Sequence, residues 1–566
     1  MRIVTDILWI VAITLPLCMV LVPAEGMPAG ETVAQWVWLG KVWPWSAMCA
    51  VTAYGWQMWS RRGEKWKERW KVESFPLYVT WSLILLGGIE AVWGVCQVYG
   101  WLPSGHSQYA LSGSFFNPGP YGGYLAMVLP LCLHHYLALR GKSWSDLDVR
   151  ERMRKAGAVA VGVLILCVLP ATMSRTAWLA AAVACVWVGV RHGNRQKWRD
   201  QWKRHRKTGI ACVCMVAILL AGGLAGMYVL KPDSARGRIF LWRMACRAIV
   251  SEPFVQGSRE FARPYAEAQT AYFAGGDYKP WEERVAGSPE YAFNEYLEGA
   301  VRLGVLPCLL LLSGVGYHWY RCQQRQEWTG VCAAQLSVLV FAFASYPFHI
   351  PGFAMAACVL ALAGFVGVYA GGLLFPAVWI GIGVFGCNIR WQEKEAACRK
   401  WLDAQTFYRT GAYGTAADAY EPLEPVLSRN GRFLFEYGHA LYKCQRWMEA
   451  VAVLERARDY TTDPMPCNII GQALQARGDE SGGRMKECYR QAEAYYQEAI
   501  HLLPGRIYPY YLLAKLYVTP HYLHLEKFED MRHVVLGKNP KVMSTAVSQM
   551  REELKNMVLP ESEKKK

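Results

Sequence analysis

The sequence predicts an all-α protein in two parts, a polytopic helical membrane domain over residues 1–387 and a soluble helical-repeat domain over residues 388–566. Three observations carry this. Apolar runs of about 16–22 residues recur from Ile3 to Gly386, long enough to cross a ~30 Å hydrocarbon core as helices. Short basic loops alternate with uncharged ones between those runs. Beyond Asn388 the chain turns charge-rich and repeats. A mean hydropathy of +0.08 is therefore the average of two unlike halves. A soluble enzyme, a disordered chain and an outer-membrane barrel are excluded.

About eleven spans are expected, at 4–23, 33–59, 77–99, 120–139, 157–173, 176–190, 209–230, 297–319, 329–345, 352–369 and 372–387. The first has the outline of a signal peptide, but its length and the spans that follow favour an uncleaved helix. Residues 328–389 carry no charge. As one helix, 352–387 would run about 54 Å at ~1.5 Å per residue, so a reversal is expected at Gly371-Gly372. Loops 61–71, 140–155 and 191–207 hold six, six and eight Lys/Arg, whereas loops 24–32, 100–119 and 346–351 hold none. That asymmetry puts the basic loops in the cytoplasm. It accounts for the net charge of +16 without a nucleic-acid partner. An odd number of spans leaves the C-terminal domain outside, although Arg390, Lys394, Arg399 and Lys400 pull the other way.

The outer segment 231–294 holds nine Lys/Arg against eight Asp/Glu, a mixture expected to fold. In the C-terminal part, Ala416 and Tyr420 precede Ala450 and Leu454 by 34 residues. Gly438, Ala440, Trp447 and Ala457 complete the small-and-large pattern of a tetratricopeptide-like repeat. Such an array offers a groove to a partner or acts as a rigid spacer. Of eighteen cysteines, most lie in spans, and no C-x-x-C pair or zinc spacing occurs. Cys387, Cys398, Cys444, Cys467, Cys488 and Cys246 leave a disulfide open but unreadable.

Arg175 is the anomaly of the membrane half, a cation at the outer boundary of two apolar runs. It reads as a functional charge or as a snorkelling anchor. Arg236, Arg238, Arg243 and Arg247 cluster where the outer segment begins. Guanidinium forks suit phosphate oxygens, and a surface helix drawn to headgroups is the plainer alternative. Charges within spans, Lys41 and Glu90, look isolated. His349, in Tyr346-Pro347-Phe348-His349-Ile350-Pro351, is a lone outer-loop histidine, more often structural.

Together these segments resemble the O-antigen ligase superfamily. Phe115-Phe116-Asn117-Pro118-Gly119-Pro120-Tyr121 resembles its Asn-Pro-Asn loop and the helix after it. Ser174-Arg175-Thr176-Ala177-Trp178-Leu179 is similar to its Ser-Arg-x-x-Trp/Leu segment. Arg238 to Trp242, followed by Pro253 and Gly257, is similar to its Arg-x-x-x-Trp…Pro-x-x-Gly stretch. Phe293-Asn294-Glu295-Tyr296-Leu297…Gly304 is similar to its His-Asn-x-x-Leu…Gly-x-x-Gly element. The resemblance spans about 80–370, in order.

It implies a glycosyltransferase-C-like membrane enzyme of the bacterial inner membrane. The donor would be an undecaprenyl-diphosphate-linked glycan, used on the periplasmic face without metal or other cofactor. The acceptor would be a lipid, a growing polysaccharide or a protein. Arg175 with Arg238 or Arg243 would match the pyrophosphate-binding arginines, and Asn117, Tyr121, Arg247 and Asn294 would contact substrate. Phe293 stands where many members carry the proposed catalytic histidine, and Pro307 replaces the second glycine. A base, if one is needed, falls to Glu295, Glu290 or His349, and Glu295 reads equally as a first-turn carboxylate facing the helix dipole. A transporter would show internal halves and midplane charges, which are not visible. A non-catalytic scaffold presenting the repeats is kept open by Phe293.

Reporters fused after Lys71, Lys155 and Lys207 are expected in the cytoplasm, and those after Ser104, Pro280 and Lys566 outside. A cytoplasmic reporter at Lys566, with the others as stated, would mean an even number of spans.

Overall fold

A computed structural model describes residues 2–23, 26–28, 30–63, 74–193, 232–255, 257–369, 379, 381, 390–540 and 543–557. The expected span 209–230, most of 372–387 and the reversal at Gly371-Gly372 lie outside the described residues. No strand occurs among the described residues. In chain order, the helices of eight residues or more begin with α1 (Arg2–Leu17), α2 (Val33–Ser60), α3 (Phe75–Val98), α4 (Pro118–Ala138), α5 (Val149–Val168) and α6 (Arg175–His192). Next come α7 (Pro232–Ser251), α8 (Ala262–Ala274), α9 (Glu295–Leu303), α10 (Val305–Cys322), α11 (Thr329–Ala342) and α12 (Pro351–Tyr369). After them stand α13 (Trp391–Thr410), α14 (Tyr413–Tyr420), α15 (Gly431–Lys443), α16 (Trp447–Ala457), α17 (Met465–Glu480) and α18 (Lys486–Leu502). The chain closes with α19 (Tyr508–Tyr517), α20 (Leu525–Gly537) and α21 (Thr545–Asn556).

Chain contacts divide the protein into two units. The first comprises Met1–Gly222, Phe293–Tyr296 and Pro307–Ala396; the second comprises Gly223–Ala292, Leu297–Leu306 and Ala397–Lys566. The outer segment thus groups with the C-terminal helices, a division that sequence alone did not draw.

In the first unit α4 is the central helix, packed by α3, α5, α6 and α11. Its Tyr121, Tyr124, Leu125, Met127 and Leu131 are fully buried. Small residues let its neighbours approach, as expected where helices pack without a hydrophobic drive between them. A Cβ on Gly123 would lie 2.3 Å from the Phe341 ring, and one on Gly87 would lie 2.7 Å from Val128. Three stretches, Ile3–Leu21, Phe75–Val98 and Val149–Thr172, are helical, long and apolar enough to cross a membrane. Their outer faces stay apolar, with Leu85, Ile89 and Val92 exposed on α3 and Val159, Val163 and Leu166 on α5. Stripes of this kind suit lipid rather than water. The fold is that of a helical membrane protein.

Two boundaries differ from expectation. α5 starts eight residues early, because Asp148 and Glu151 form a reciprocal capping box that carries the helix through its charged first turns. The expected span 297–319 is two helices, broken at Gly304. There the backbone is left-handed (φ +86°), and a Cβ would sit 3.0 Å from Val255 N and 3.1 Å from Pro253 O. Polarity changes at the same point, from Glu298 and Arg302 on α9 to the apolar Val305-Leu306 of α10, and the backbone contact fixes the turn.

In the second unit, consecutive helices from α14 to α20 pack on one another, with α15–α16, α17–α18 and α19–α20 as hairpins. Gly438 meets Leu454, Gly471 meets Tyr496 and Gly478 meets Tyr489, so each small residue receives a large one from the partner helix. Buried carboxylates tie successive helices together. Glu436 accepts from Trp401 Nε1 (2.8 Å) and Gln405 Nε2 (2.9 Å). Glu493 accepts from Tyr517 (2.7 Å), Tyr522 (2.6 Å) and Lys527 (2.8 Å). The outer segment docks here through α8 against α18. Gln269 donates to Leu502 O (2.7 Å, buried), and Lys538 pairs with Glu283 at 2.7 Å. Cys246, Cys398, Cys444, Cys467 and Cys488 are in no disulfide among the described residues, and Cys387 lies outside them.

Burial works against ionising Glu493, but hydrogen bonds from Lys527, Tyr522 and Tyr517 outweigh it and hold the carboxyl below its ordinary value. A carboxyl held low contributes stability that is complete above its unfolded value, about 4.3. That contribution is lost as pH falls through the lower folded value. Amide hydrogen exchange over 508–537, corrected for intrinsic rate, should therefore rise first on acidification below about pH 4. Glu493→Gln should show the faster exchange already at pH 7.

Candidate functional site

The turn from α5 into α6 is built by a few short hydrogen bonds. α5 tightens into a 3-10 turn over Leu169–Thr172, Met173 goes left-handed at φ +52°, Ser174 is extended, and α6 begins at Arg175. Thr172 Oγ1 donates to Leu169 O (2.7 Å) and accepts from Ser174 N (3.3 Å). Trp178 Nε1 donates to the same carbonyl at 2.9 Å. Ser174 provides no side-chain cap, so the positive end of α6 and the half-buried Arg175 guanidinium share one place. A cation in a first turn opposes the helix dipole by about 0.3–1 kcal/mol. Both charges favour an anion.

At the start of α4, Asn117 is extended and its Oδ1 accepts from Gly119 N at 2.9 Å, an N-cap ahead of Pro118. Tyr121 is fully buried and donates to Glu90 O at 2.8 Å. Its side chain holds the helix start from inside and does not face a ligand. Gly122 packs on Thr172 and Ala177, which sets this end of α4 beside the Arg175 turn.

Glu90 is not isolated. Its carboxylate lies 2.6 Å from Ser114 Oγ and 3.1 Å from Ser114 N, and Ser114 Oγ reaches Val20 O at 2.7 Å. Two turns further on, the Gln97 amide takes Ser112 N and Gly113 N and gives to Pro103 O. Two polar residues of an apolar helix thus fold the loop that leads to Asn117. Gly113 is required there: it is left-handed at φ +59°, and a Cβ would meet the Tyr121 ring at 2.3 Å. The signal was present in the sequence as polar residues seven apart, on one face of a helix.

Phe293 is also left-handed, at φ +49°, and its ring stands edge-on to Tyr346 at 5.2 Å. Buried Asn294 accepts from Tyr296 N at 3.0 Å, capping α9. Glu295 Oε1 accepts from Phe348 N at 2.8 Å. That bond holds the 3-10 turn Pro347–His349, which carries a half-buried His349. Thr176, next to Arg175, donates to Ala344 O at 3.5 Å. Asn117, Arg175, Asn294, Glu295 and His349 are therefore brought to one end of the first unit.

Arg238, Arg243 and Arg247 lie on α7 of the second unit. Arg243 donates to Tyr272 Oη (3.1 Å) and to buried Glu282. Glu282 also accepts from Tyr272 (2.6 Å) and Lys279 N (2.8 Å). Burial opposes its ionisation, yet the Tyr272, Lys279 and Arg243 bonds hold its carboxyl low. Arg247 stacks over the Tyr272 ring at 4.7 Å. Arg243 is thus anchored, with its exposed edge and Arg247 directed to solvent.

A helical membrane bundle with a guanidinium at the head of an uncapped helix, beside strained backbone, is a membrane protein equipped to meet an anionic group. Residues 160–312 match the family model described as O-Antigen ligase. The match supports the O-antigen ligase superfamily, and with it a glycan-transferring membrane enzyme of that family. Its range takes in Arg175, Arg238, Arg243, Arg247, Asn294 and Glu295, and leaves Asn117, Tyr121 and His349 outside. No curated protein matches the chain.

Because Glu295 holds the His349 turn through a hydrogen bond that an amide oxygen can also accept, Glu295→Gln is expected to keep transfer within about threefold. Glu295→Ala should lower it further. A fall of ~10²–10⁴-fold in Glu295→Gln, with protein level and donor binding unchanged, would make Glu295 the base instead.

Proposed function

We propose that this protein transfers a glycan from an undecaprenyl-diphosphate-linked donor to an acceptor hydroxyl at the outer face of the bacterial inner membrane. The single observation that carries the reading is Arg175. It lies inside the family-matched segment, at the head of a helix whose first N–H groups lack a side-chain cap, directly after the strained Met173. Non-glycine residues at positive φ cost about 1–3 kcal/mol and persist where the surroundings impose them, often at functional sites.

In the proposed step the acceptor oxygen attacks the anomeric carbon as the bond from that carbon to the diphosphate oxygen breaks. The lipid diphosphate leaves with the bonding electron pair and the acceptor loses its proton to a base or to water. Arg175 and the α6 N-terminus would stabilise the negative charge on the departing diphosphate, without need of a divalent ion. Arg238, Arg243 and Arg247 would hold the donor from the outer segment. With phenylalanine at position 293, proton acceptance is the lesser part of the catalysis and leaving-group stabilisation the greater.

The C-terminal helices are read as a tetratricopeptide-like array outside the membrane. The hairpins with glycine facing Leu454 or Tyr496 support the repeat reading. Packing of α8 on α18 supports one side for both, since segment and array share a unit. The about eleven spans and the periplasmic C-terminus rest on the charge pattern of the loops. Ligase, polymerase and protein glycosyltransferase differ in the acceptor. The glycan profile of a deletion strain separates them: unattached glycan, single units in place of a ladder, or loss of glycoproteins.

Lysine keeps the charge of arginine but lacks its fork. Arg175→Lys should therefore lose most of the transfer, and Arg175→Ala ~10²–10³-fold, measured in membranes with protein level controlled. Full activity in Arg175→Ala would overturn the diphosphate role and favour a non-catalytic scaffold.

A further inference from the structure

Within the second unit, α15, α17, α19 and α21 line an open cavity of about 520 Å³. Its size is that of a small-molecule site, typically about 300–1,000 Å³, too small for a folded partner and enough for a short chain of sugars. We infer that this cavity is a binding site for an uncharged oligosaccharide segment of the acceptor or product glycan, separate from the transfer site. The inference rests on the glycan-transfer reading and adds a second glycan contact to it.

The lining is the argument. Tyr442, Tyr508 and Tyr511 bring three aromatic rings, and Gln472, Gln475 and Gln549 bring three amides. Pyranose rings carry C–H patches that pack on aromatic faces and hydroxyls that both donate and accept. Gln475 is engaged by Tyr496 and Thr519 at 3.3 Å each, and the remaining amides, with an acceptor and two donors each, answer the hydroxyls. Tyrosine answers both, by its ring and its hydroxyl. Among the described residues, the Tyr442 hydroxyl and the Gln549 amide make no hydrogen bond to the protein, so both remain available to a ligand. Gln472 Nε2 donates to Tyr508 Oη at 3.1 Å, which fixes the orientation of that tyrosine over the cavity.

The charged groups of the lining are already hydrogen-bonded. Glu553 accepts from Tyr511 (2.5 Å) and Lys515 (3.1 Å), and Asp479 accepts from Tyr489 at 2.7 Å. A phosphate or an acidic sugar would have to compete with Glu553 for Lys515. A peptide helix docks through apolar anchors at helical spacing, and among the large aliphatic side chains the lining offers Leu512 and Met550. With two carboxylates against one lysine, and rich in rings and amides, the cavity disfavours an anion and suits an uncharged polyol. Because α21 supplies Ala546, Gln549, Met550 and Glu553, the last helix of the array forms one wall.

The test uses full-length protein purified in detergent and carrying Arg175→Ala, so that no transfer occurs. Fluorescently labelled oligosaccharides, released by mild acid from the surface polysaccharide of the producing strain, are titrated and followed by polarisation. Saturable binding is expected to persist in the Arg175→Ala background and to weaken at least tenfold on adding Gln549→Ala or Tyr442→Ala. Gln549 is exposed on α21, so its truncation leaves packing intact, and Tyr442→Phe separates the hydroxyl from the ring. Binding that is unchanged by both truncations, or no binding at all, overturns the inference. Displacement of the sugar by an unstructured peptide but not by excess free oligosaccharide would overturn it in favour of a peptide groove. If Arg175→Ala retains full transfer while the Gln549 effect appears, the transfer mechanism fails and the cavity stands. If Arg175→Ala abolishes transfer and the cavity variants bind normally, the reverse holds.

Discussion

In hydrocarbon an unpaired backbone N–H or C=O costs several kcal/mol, so a chain can reverse between two helices only where each freed group finds a partner at once. Between α5 and α6 that constraint is met by one carbonyl and one hydroxyl. Leu169 O takes both Thr172 Oγ1 and Trp178 Nε1, and Thr172 Oγ1 takes Ser174 N. The turn closes only with Met173 in a left-handed conformation. What results is a helix start that is fixed in space yet uncapped by its own sequence, with a guanidinium on it. Gly122 of α4 packs on Thr172 and Ala177, and Thr176 reaches Ala344, so the loops before α4 and after α11 take their places from this turn.

Much of this was legible in the sequence, and the reasons for the rest are specific. Apolar length and loop charge gave most helix limits in the membrane half, since both follow directly from transfer energies. The break at Gly304 was missed although Glu298 and Arg302 precede it, because its cause, a backbone contact with Pro253, is not local in sequence. Glu90 looked isolated because its partner Ser114 stands on a loop whose path sequence does not show. Arg243 was legible as a member of an arginine cluster, but not as the partner of Glu282, 39 residues on. Tyr121 sat within a motif, and position in a motif did not distinguish a ligand contact from the ring that props the motif up.

The second unit shows how a charged segment without long apolar runs becomes rigid. α8 buries Tyr265 and Phe273, and the Gln269 amide connects them to the end of α18 through Leu502 O. Thr462 donates to Pro289 O at 3.0 Å, and Arg263 pairs with Asp459 at 2.5 Å. The exposed pairs add little by themselves; the buried amide and the rings fix the register. Arg243 belongs to the same framework through Tyr272 and Glu282, so α7 takes its support from within the second unit. C-terminal helices that serve as a wall for segment 231–294 are more than a tether, and the buried carboxylates Glu436 and Glu493 are part of that framework.

Phe293 brings the two lines together. A bulky residue at φ +49° is disfavoured by roughly 1–2 kcal/mol, and an unconstrained loop would relax it. It persists between the capping bond of Asn294 and the edge contact with Tyr346, while Glu295 holds the Phe348 amide. The backbone around the family's histidine position is therefore kept in a costly shape although the side chain there cannot accept a proton. The strained element places Asn294, Glu295 and the His349 turn at the end of the first unit that also carries Arg175.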